Sequence, residues 1–591
     1  MTEAAALGPL PEWDLRDLYP GPESDAFRAD LAAAKAEAET FAKAHKGRVE
    51  ALAAADFGRA IRDYERQTER LGRLSSYAQL LHAGNVSDPA IGRFFQNTME
   101  AINAVSSELL FFTLEINRLA DDRLEAKLAD AAAARYRPWL RDLRAFRPHQ
   151  LADDLERILH EKEVAGRAAW VRLFDETMAA LRFPIEGRAL TAEQTLHLLS
   201  DKDEAKRRAA AKALGAVFGD NIRLFAMIAN TLAKDKEIED RWRKFPSPEA
   251  SRHLSNQVEP EVVAALVKAV RDSYPKLSHR YYALKARWLG KERLDYWDRN
   301  APLPEDDDRK IGWAEARRIV LDAYGAFSGE LAGIGRRFFD SPWIDAPVRP
   351  GKAGGAFAHS TVPSVHPYLM LNYQGKARDV MTLAHELGHG VHQVLAAGQG
   401  ALMADTPLTL AETASVFGEQ LTFRALLEGE RDPRRKRVML AGKVEDMLNT
   451  VVRQVAFYEF ESRLHAERRQ GELTAERIGE IWLAVQTESL GPALRFEDEY
   501  RCYWAYIPHF VHSPFYVYAY AFGDCLVNAL YGAYLDRPQG FEAKYLDMLR
   551  AGGTLRHREL LRPFGLDAAD PGFWARGLGV IADFIDQLER G

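Results

Sequence analysis

The sequence predicts a mostly α protein of two helical lobes, with a small β-sheet next to one particular helix. Three observations carry the helical part of that prediction. Long segments place apolar residues at three- and four-residue spacing, the period of one face of an α-helix. The same segments are rich in Ala, Glu, Lys and Arg, which are strong helix formers. Strand-prone sequence is confined to one short region, Ala356 to His359 and Tyr368 to Tyr373, separated by turn residues around Pro363 and Pro367. The division into lobes follows from length, because 591 residues exceed what a single hydrophobic core organises.

Taken in order, Asp25 to His45 and Leu151 to Ala180 read as amphipathic helices. The run Phe183-Pro184-Ile185-Glu186-Gly187-Arg188 then breaks the helical pattern. Thr191, with Glu193 and Gln194 close behind, offers a helix cap. This places a boundary near residue 190, between an amino-terminal helical lobe (1–190) and a larger catalytic lobe (191–591). A second break runs from Tyr296 to Asp308, with Pro302, Pro304 and an acidic cluster. Lys376 to Ala397 reads as one helix stopping at Gly398, and Thr406-Pro407 reads as the start of the next.

Composition narrows the function. Apolar residues make up 47% and charged residues 28%, with a formal net charge of -7. A mildly acidic chain gives no electrostatic reason to bind nucleic acid or an anionic membrane. Cys502 and Cys525 are too few for a disulfide framework and lack metal-ligand spacing, which suits a reducing compartment. No stretch has the apolar length of a membrane helix, and the start carries no basic residue followed by an apolar run. The expected location is cytoplasmic.

The chemistry concentrates in His385-Glu386-Leu387-Gly388-His389. Val380, Leu383, Ala384, Leu387, Val391 and Leu395 form the apolar stripe of the surrounding helix. Residues four apart lie on one helix face, so both imidazoles can reach one zinc ion. Glu386 falls on the flank, where it can take a proton from the attacking water instead of ligating the metal. His392 extends the row but is a poor third ligand. Seven helical residues rise about 10.5 Å, whereas ligand atoms around one zinc lie less than about 4 Å apart. His392 is read as a supporting or packing residue. The third ligand must come from elsewhere. Glu412 and Glu419, seven apart on the following helix, both qualify by spacing, and Asp405 is a weaker choice.

Beyond the motif, a longer pattern resembles the oligoendopeptidase F family, which is similar in its catalytic core to thimet oligopeptidase. The resemblance runs through Leu371-Asn372-Tyr373, Arg378-Asp379-Val380 and Thr382 to His389. It continues in Ala411-Glu412-Thr413-Ala414-Ser415 with Glu419, in Arg453 to Phe457 with Glu461, and in Ile507-Pro508-His509-Phe510 leading to Phe515-Tyr516-Val517-Tyr518. The opening Trp13-Asp14-Leu15 with Asp17-Leu18-Tyr19 belongs to it too. The resemblance implies a deep channel between lobes, zinc on the channel wall, and internal cleavage of short peptides. It implies His385, His389 and Glu412 as zinc ligands and Glu386 as general base, with Glu419 as a supporting acid.

Amide hydrolysis also needs donors for the oxyanion of the tetrahedral intermediate. Related peptidases use a histidine and tyrosines from a segment like 509–520. His509 and Tyr516 are therefore candidate donors here, with Tyr520 next and His512 a weaker alternative. If 515–522 is helical, Tyr516 and Tyr520 share a face and Tyr518 points elsewhere. The run Ala356 to His359 is a candidate edge to which a peptide adds as an extra strand. Two other readings compete with an endopeptidase: a zinc carboxypeptidase or peptidyl-dipeptidase, and a catalytically silent peptide-binding protein.

Overall fold

The computed structural model describes residues 7–163, 165–303 and 310–590. Of the break read at Tyr296 to Asp308, residues 304–308 lie outside the described residues. Helices account for 71% of the chain and sheets are small, so the molecule is mostly α. The chain divides into two compact units, each assembled from three separate stretches.

The first unit comprises Met1–Arg147, Asp308–Gly429 and Ala533–Leu566. Its amino-terminal part packs the helices Asp25–His45, Ala54–Gly84 and Pro89–Arg118 against one another. Ser24 and Asp88 cap two of these helices through their side chains, and Pro89 occupies the first turn of the third, where its missing N–H costs nothing. Phe27, Phe41, Phe57, Leu74, Phe112 and Ile116 fill the space between them. A three-stranded sheet follows. Ile344–Asp345 pairs in parallel with Tyr368–Met370, which pairs antiparallel with Phe357–His359. Phe357–His359 is thus an edge strand. The motif helix, Ala377–Ala396, and the helix Leu408–Gly429 complete the framework of the site.

The second unit comprises Pro148–Asp307, Glu430–Gly532 and Asp567–Gly591. The helical stretch read over Leu151 to Ala180 is two helices, Asp153–Glu163 and Arg167–Ala180, with Gly166 starting the second. The break at 183–188 is a β-hairpin, Phe183–Ile185 with Arg188–Leu190. Its two turn residues, Glu186 and Gly187, both have positive φ, 50° and 76°, the backbone that a two-residue hairpin turn demands. Thr191 then caps the next helix in a reciprocal box with Gln194. Phe183, Phe218, Phe225, Phe460, Trp482 and Trp504 dominate the core of this unit.

Candidate metal centre

The site in the first unit depends on how closely the motif helix and Leu408–Gly429 approach. Gly388 lets them meet. A Cβ there would lie 2.5 Å from the Ala414 carbonyl oxygen and 2.6 Å from Ser415 Cα, distances no side chain tolerates. Tyr324 steadies the motif helix by donating its hydroxyl to the Ala384 carbonyl at 2.6 Å. Tyr545 does the same for Thr413 at 2.8 Å on the facing helix. Neither tyrosine carried a sequence signal, because each comes from a remote helix and reads as ordinary aromatic packing.

Three donor groups converge as a result. His385 Nε2 lies 3.3 Å and His389 Nε2 lies 3.5 Å from Glu412 Oε2. Donor atoms of the three residues all lie within 4.8 Å of one another. Tetrahedral zinc bonds of about 2.1 Å place ligand atoms roughly 3.4 Å apart, so the spacing suits that ion. The donor set, two imidazoles and a carboxylate, is also a zinc set. On the far side of its ring, His385 Nδ1 lies 3.2 Å from Glu419 Oε2. A proton held there leaves Nε2 as the ligating nitrogen. Glu412 is steadied by the Ser415 hydroxyl at 2.6 Å. His392, one turn further along, is buried and outside the donor group.

The electrostatics fit a cation. Burial opposes protonation of His385, but hydrogen bonds to Glu412 and Glu419 override it and hold its pKa well above the imidazole norm. Burial likewise raises the Glu412 carboxyl, yet His385 and His389 with the Ser415 hydroxyl outweigh it and take the group down to about 2. His389 is pushed down to about 4, mainly by burial, and so is neutral and ready to ligate at neutral pH. Glu386, only 7% exposed, is lifted to about 7 by burial, against the His385 charge and the backbone N–H of Ala358. That last contact places the edge strand Phe357–His359 beside the acid. A second group of acids, Glu204, Asp295 and Asp298, is already paired. Lys291 and Arg207 lie 2.7 and 2.8 Å from Asp298.

In the second unit, His509, Tyr516 and Tyr520 come together. The His509 ring stacks near Tyr516 at 6.0 Å between centroids, and Tyr516 meets Tyr520 edge-on at 5.2 Å. His509 Nε2 lies 3.3 Å from the Tyr520 hydroxyl. Tyr518 points elsewhere, its hydroxyl bonded to His253 and Asn256. His512 is occupied by Asp175 at 2.8 Å. The segment is not one helix, however. His509–His512 forms a short helical turn and the next helix begins at Tyr518. Between them Phe515 takes a positive φ of 57°, which helical backbone cannot accommodate.

Two family profiles match the chain. Residues 333–580 match the profile described as Peptidase family M3, and residues 115–183 match the one described as Oligopeptidase F. The chain belongs to peptidase family M3. This M3 peptidase is 26% identical to oligopeptidase PepF of Bacillus subtilis (strain 168), over 98% of its own length and 87% of the relative's. It is 26% identical to the group B oligopeptidase PepB of Streptococcus agalactiae, over 88% of each chain. The fold is that of oligoendopeptidase-F from Enterococcus faecium, with a TM-score of 0.73 at 24% identity, covering 96% of this chain and 98% of that one. It is a zinc-dependent metallopeptidase that hydrolyses peptides. Among the described residues, no helix is long and apolar enough to cross a membrane.

Proposed function

We propose that His385, His389 and Glu412 hold the zinc of this M3 peptidase, and that Glu386 is the general base for cleavage of internal bonds in short oligopeptides. The observation that carries this reading is the convergence of two imidazole nitrogens and one carboxylate oxygen at 3.3 and 3.5 Å beside a buried acid. Zinc held there supplies Lewis-acid polarisation of the scissile carbonyl and activation of water.

The chain's own residues do the proton work. Glu386 sits near pKa 7 through burial, so at neutral pH it can both accept and return a proton. It takes one onto its carboxylate as water attacks and passes it to the departing amine nitrogen. Glu419 holds the His385 ring in the ligating tautomer through Nδ1. The edge strand Phe357–His359 offers backbone groups to an extended peptide, which reads main chain and gives broad sequence tolerance. His509, Tyr516 and Tyr520 act as donors to the bound peptide and its oxyanion, a role supported by their convergence and by the family pattern. The two cysteines, Cys502 and Cys525, are unpaired, which supports a reducing, cytoplasmic setting.

Glu386→Gln keeps the shape of the site and removes the base. Zinc content should stay at one per chain, while turnover of an oligopeptide falls by about a thousandfold or more. Cleavage within tenfold of wild type would reject Glu386 as base. A peptide-library digest with and without chelator, read by mass spectrometry on peptides blocked at both ends, tests internal cutting. Cleavage only of peptides with free ends would point to an exopeptidase.

A further inference from the structure

The second unit holds two arginines that the proposed mechanism does not use. Arg299 follows the short helical turn Tyr296–Asp298, and Arg453 lies in the first turn of the helix Val452–Arg468. Both are partly buried. Among the described residues, neither has a carboxylate within ion-pairing distance. Their partners are neutral. Arg299 donates to Asn449 Oδ1 at 2.6 Å, and its charge acts on the neighbouring hydroxyls of Tyr282 and Tyr500. Arg453 donates to the Tyr506 hydroxyl at 2.9 Å and lies over the Phe457 ring at 5.0 Å. Each guanidinium also keeps a buried Nε–H with no acceptor among the described residues. Glu445, four residues before Asn449 on the same helix, is already taken by Lys285 at 2.6 Å and the Tyr281 hydroxyl at 2.7 Å.

Two guanidinium charges close enough to repel each other, with no acid between them, are costly to keep in a partly desolvated place. A bound anion relieves that cost. Arginine forks match the planar carboxylate group, and partial burial strengthens the attraction. The location is also informative. The Arg453 charge reaches His509, one of the residues proposed above to contact the peptide. The anion therefore belongs to the peptide itself, and every linear peptide carries at least one carboxylate at its carboxyl end.

We infer that Arg299 and Arg453 form a carboxylate-binding subsite for the peptide substrate, placed beside His509 and read chiefly by the substrate's terminal carboxylate. This rests on the reading that residues 509–520 contact the peptide. Such a subsite selects short peptides by anchoring one end, and it acts on binding more than on bond breaking.

The test uses the zinc-loaded wild-type enzyme and three versions of one oligopeptide: free acid, carboxyl-terminal amide, and free acid with its internal Glu replaced by Gln. Steady-state cleavage is followed by chromatography. The free acid should bind better than the amide, with KM lower by roughly ten- to a hundredfold, the range of a charge-assisted pair. Arg299→Gln and Arg453→Gln should bring that acid-to-amide ratio towards one, and Arg453→Lys should restore part of it. A penalty that follows the internal Glu instead supports the carboxylate subsite and assigns it to a side chain. Equal KM values for all three peptides with wild-type enzyme overturn the inference, and this arm needs no variant to fold. A ratio that persists undiminished in both glutamine variants, with melting temperatures like wild type, overturns it too. His509→Ala and Tyr516→Phe separate the two readings. If they leave kcat unchanged while the acid-to-amide ratio still depends on Arg453, the donor role falls and the subsite stands.

Discussion

Glu461 shows how much a single residue can hide. It is 2% exposed, and one carboxyl oxygen accepts the Phe515 N–H at 2.9 Å. That bond holds Phe515 in its left-handed backbone, a conformation L-residues adopt at a cost, and so shapes the chain between His509 and Tyr516. The other oxygen is buried without a partner among the described residues. Burial lifts the group from 4.5 to about 8, against the Phe515 bond and the Arg252 charge. The folded protein therefore keeps the proton at neutral pH while the unfolded chain releases it. Stability from this group is fully present below about pH 4.5 and is lost as pH rises through about 8. Glu461→Gln keeps the acceptor for Phe515 and removes the titration. Its melting temperature, relative to wild type, should climb by about 2 °C or more between pH 5 and pH 9. Parallel melting curves across that range would show that Glu461 does not ionise as described. The sequence marked Glu461 only as one residue of the family pattern; its burial, its bond to Phe515 and its raised pKa depend on remote chain and were not visible there. His385, Glu386 and His389 were visible, because their chemistry is written in a spacing of four.

At the scale of elements, legibility followed local period. The helix over Asp25–His45 was readable to the residue because its apolar spacing is local, and the structure adds Ser24 as its cap. The motif helix was readable except at its end. It stops at Ala396, a 3-10 turn covers Ala397–Gln399, and the left-handed glycine is Gly400, φ 88°, not Gly398. The second helix starts at Leu408, with Pro407 accepting its first backbone bonds through its carbonyl. What the sequence could not display was the separation of the two helices, which sets the metal geometry. Gly388→Ala tests that separation directly. Alanine favours helix by about 1 kcal/mol over glycine, so an isolated helix would gain. Here its Cβ would meet Ala414 and Ser415 backbone at 2.5–2.6 Å, and backbone cannot swing aside as a side chain can. Overpacking of this kind costs about 1–3 kcal/mol or more, and parting the helices moves Glu412 away from both histidines. The variant should melt lower than wild type and bind zinc at least about tenfold more weakly by competition with a chromogenic chelator. Wild-type zinc affinity in this variant would mean that the ligand spacing does not depend on that close approach.

For the whole molecule, the decisive feature is that each unit has its own core and is built from three stretches of chain. The chain passes between the units five times, and one passage falls inside the helix Tyr518–Asp536. No Pro- or Gly-rich linker marks such a passage, so composition alone does not display it. Residue 190, where the sequence pattern breaks, closes a hairpin within the second unit. Because the two cores are separate sets of residues, the units can open with different free energies. All three proposed zinc ligands lie in the first unit. An ion that binds only the folded form stabilises it by mass action, about 2.7 kcal/mol when free ion is a hundredfold above the dissociation constant. That stabilisation should reach the unit holding the ligands and leave local opening of the other unchanged. Hydrogen exchange read by mass spectrometry, with chelator and then with added zinc, checks this. Amides in Met1–Arg147, Asp308–Gly429 and Ala533–Leu566 should slow with zinc, most of all in the two ligand-bearing helices, whereas those of the second unit should keep their rates. Equal slowing in both units would show that they open as one cooperative body, and slowing confined to the second unit would place the ion away from His385, His389 and Glu412.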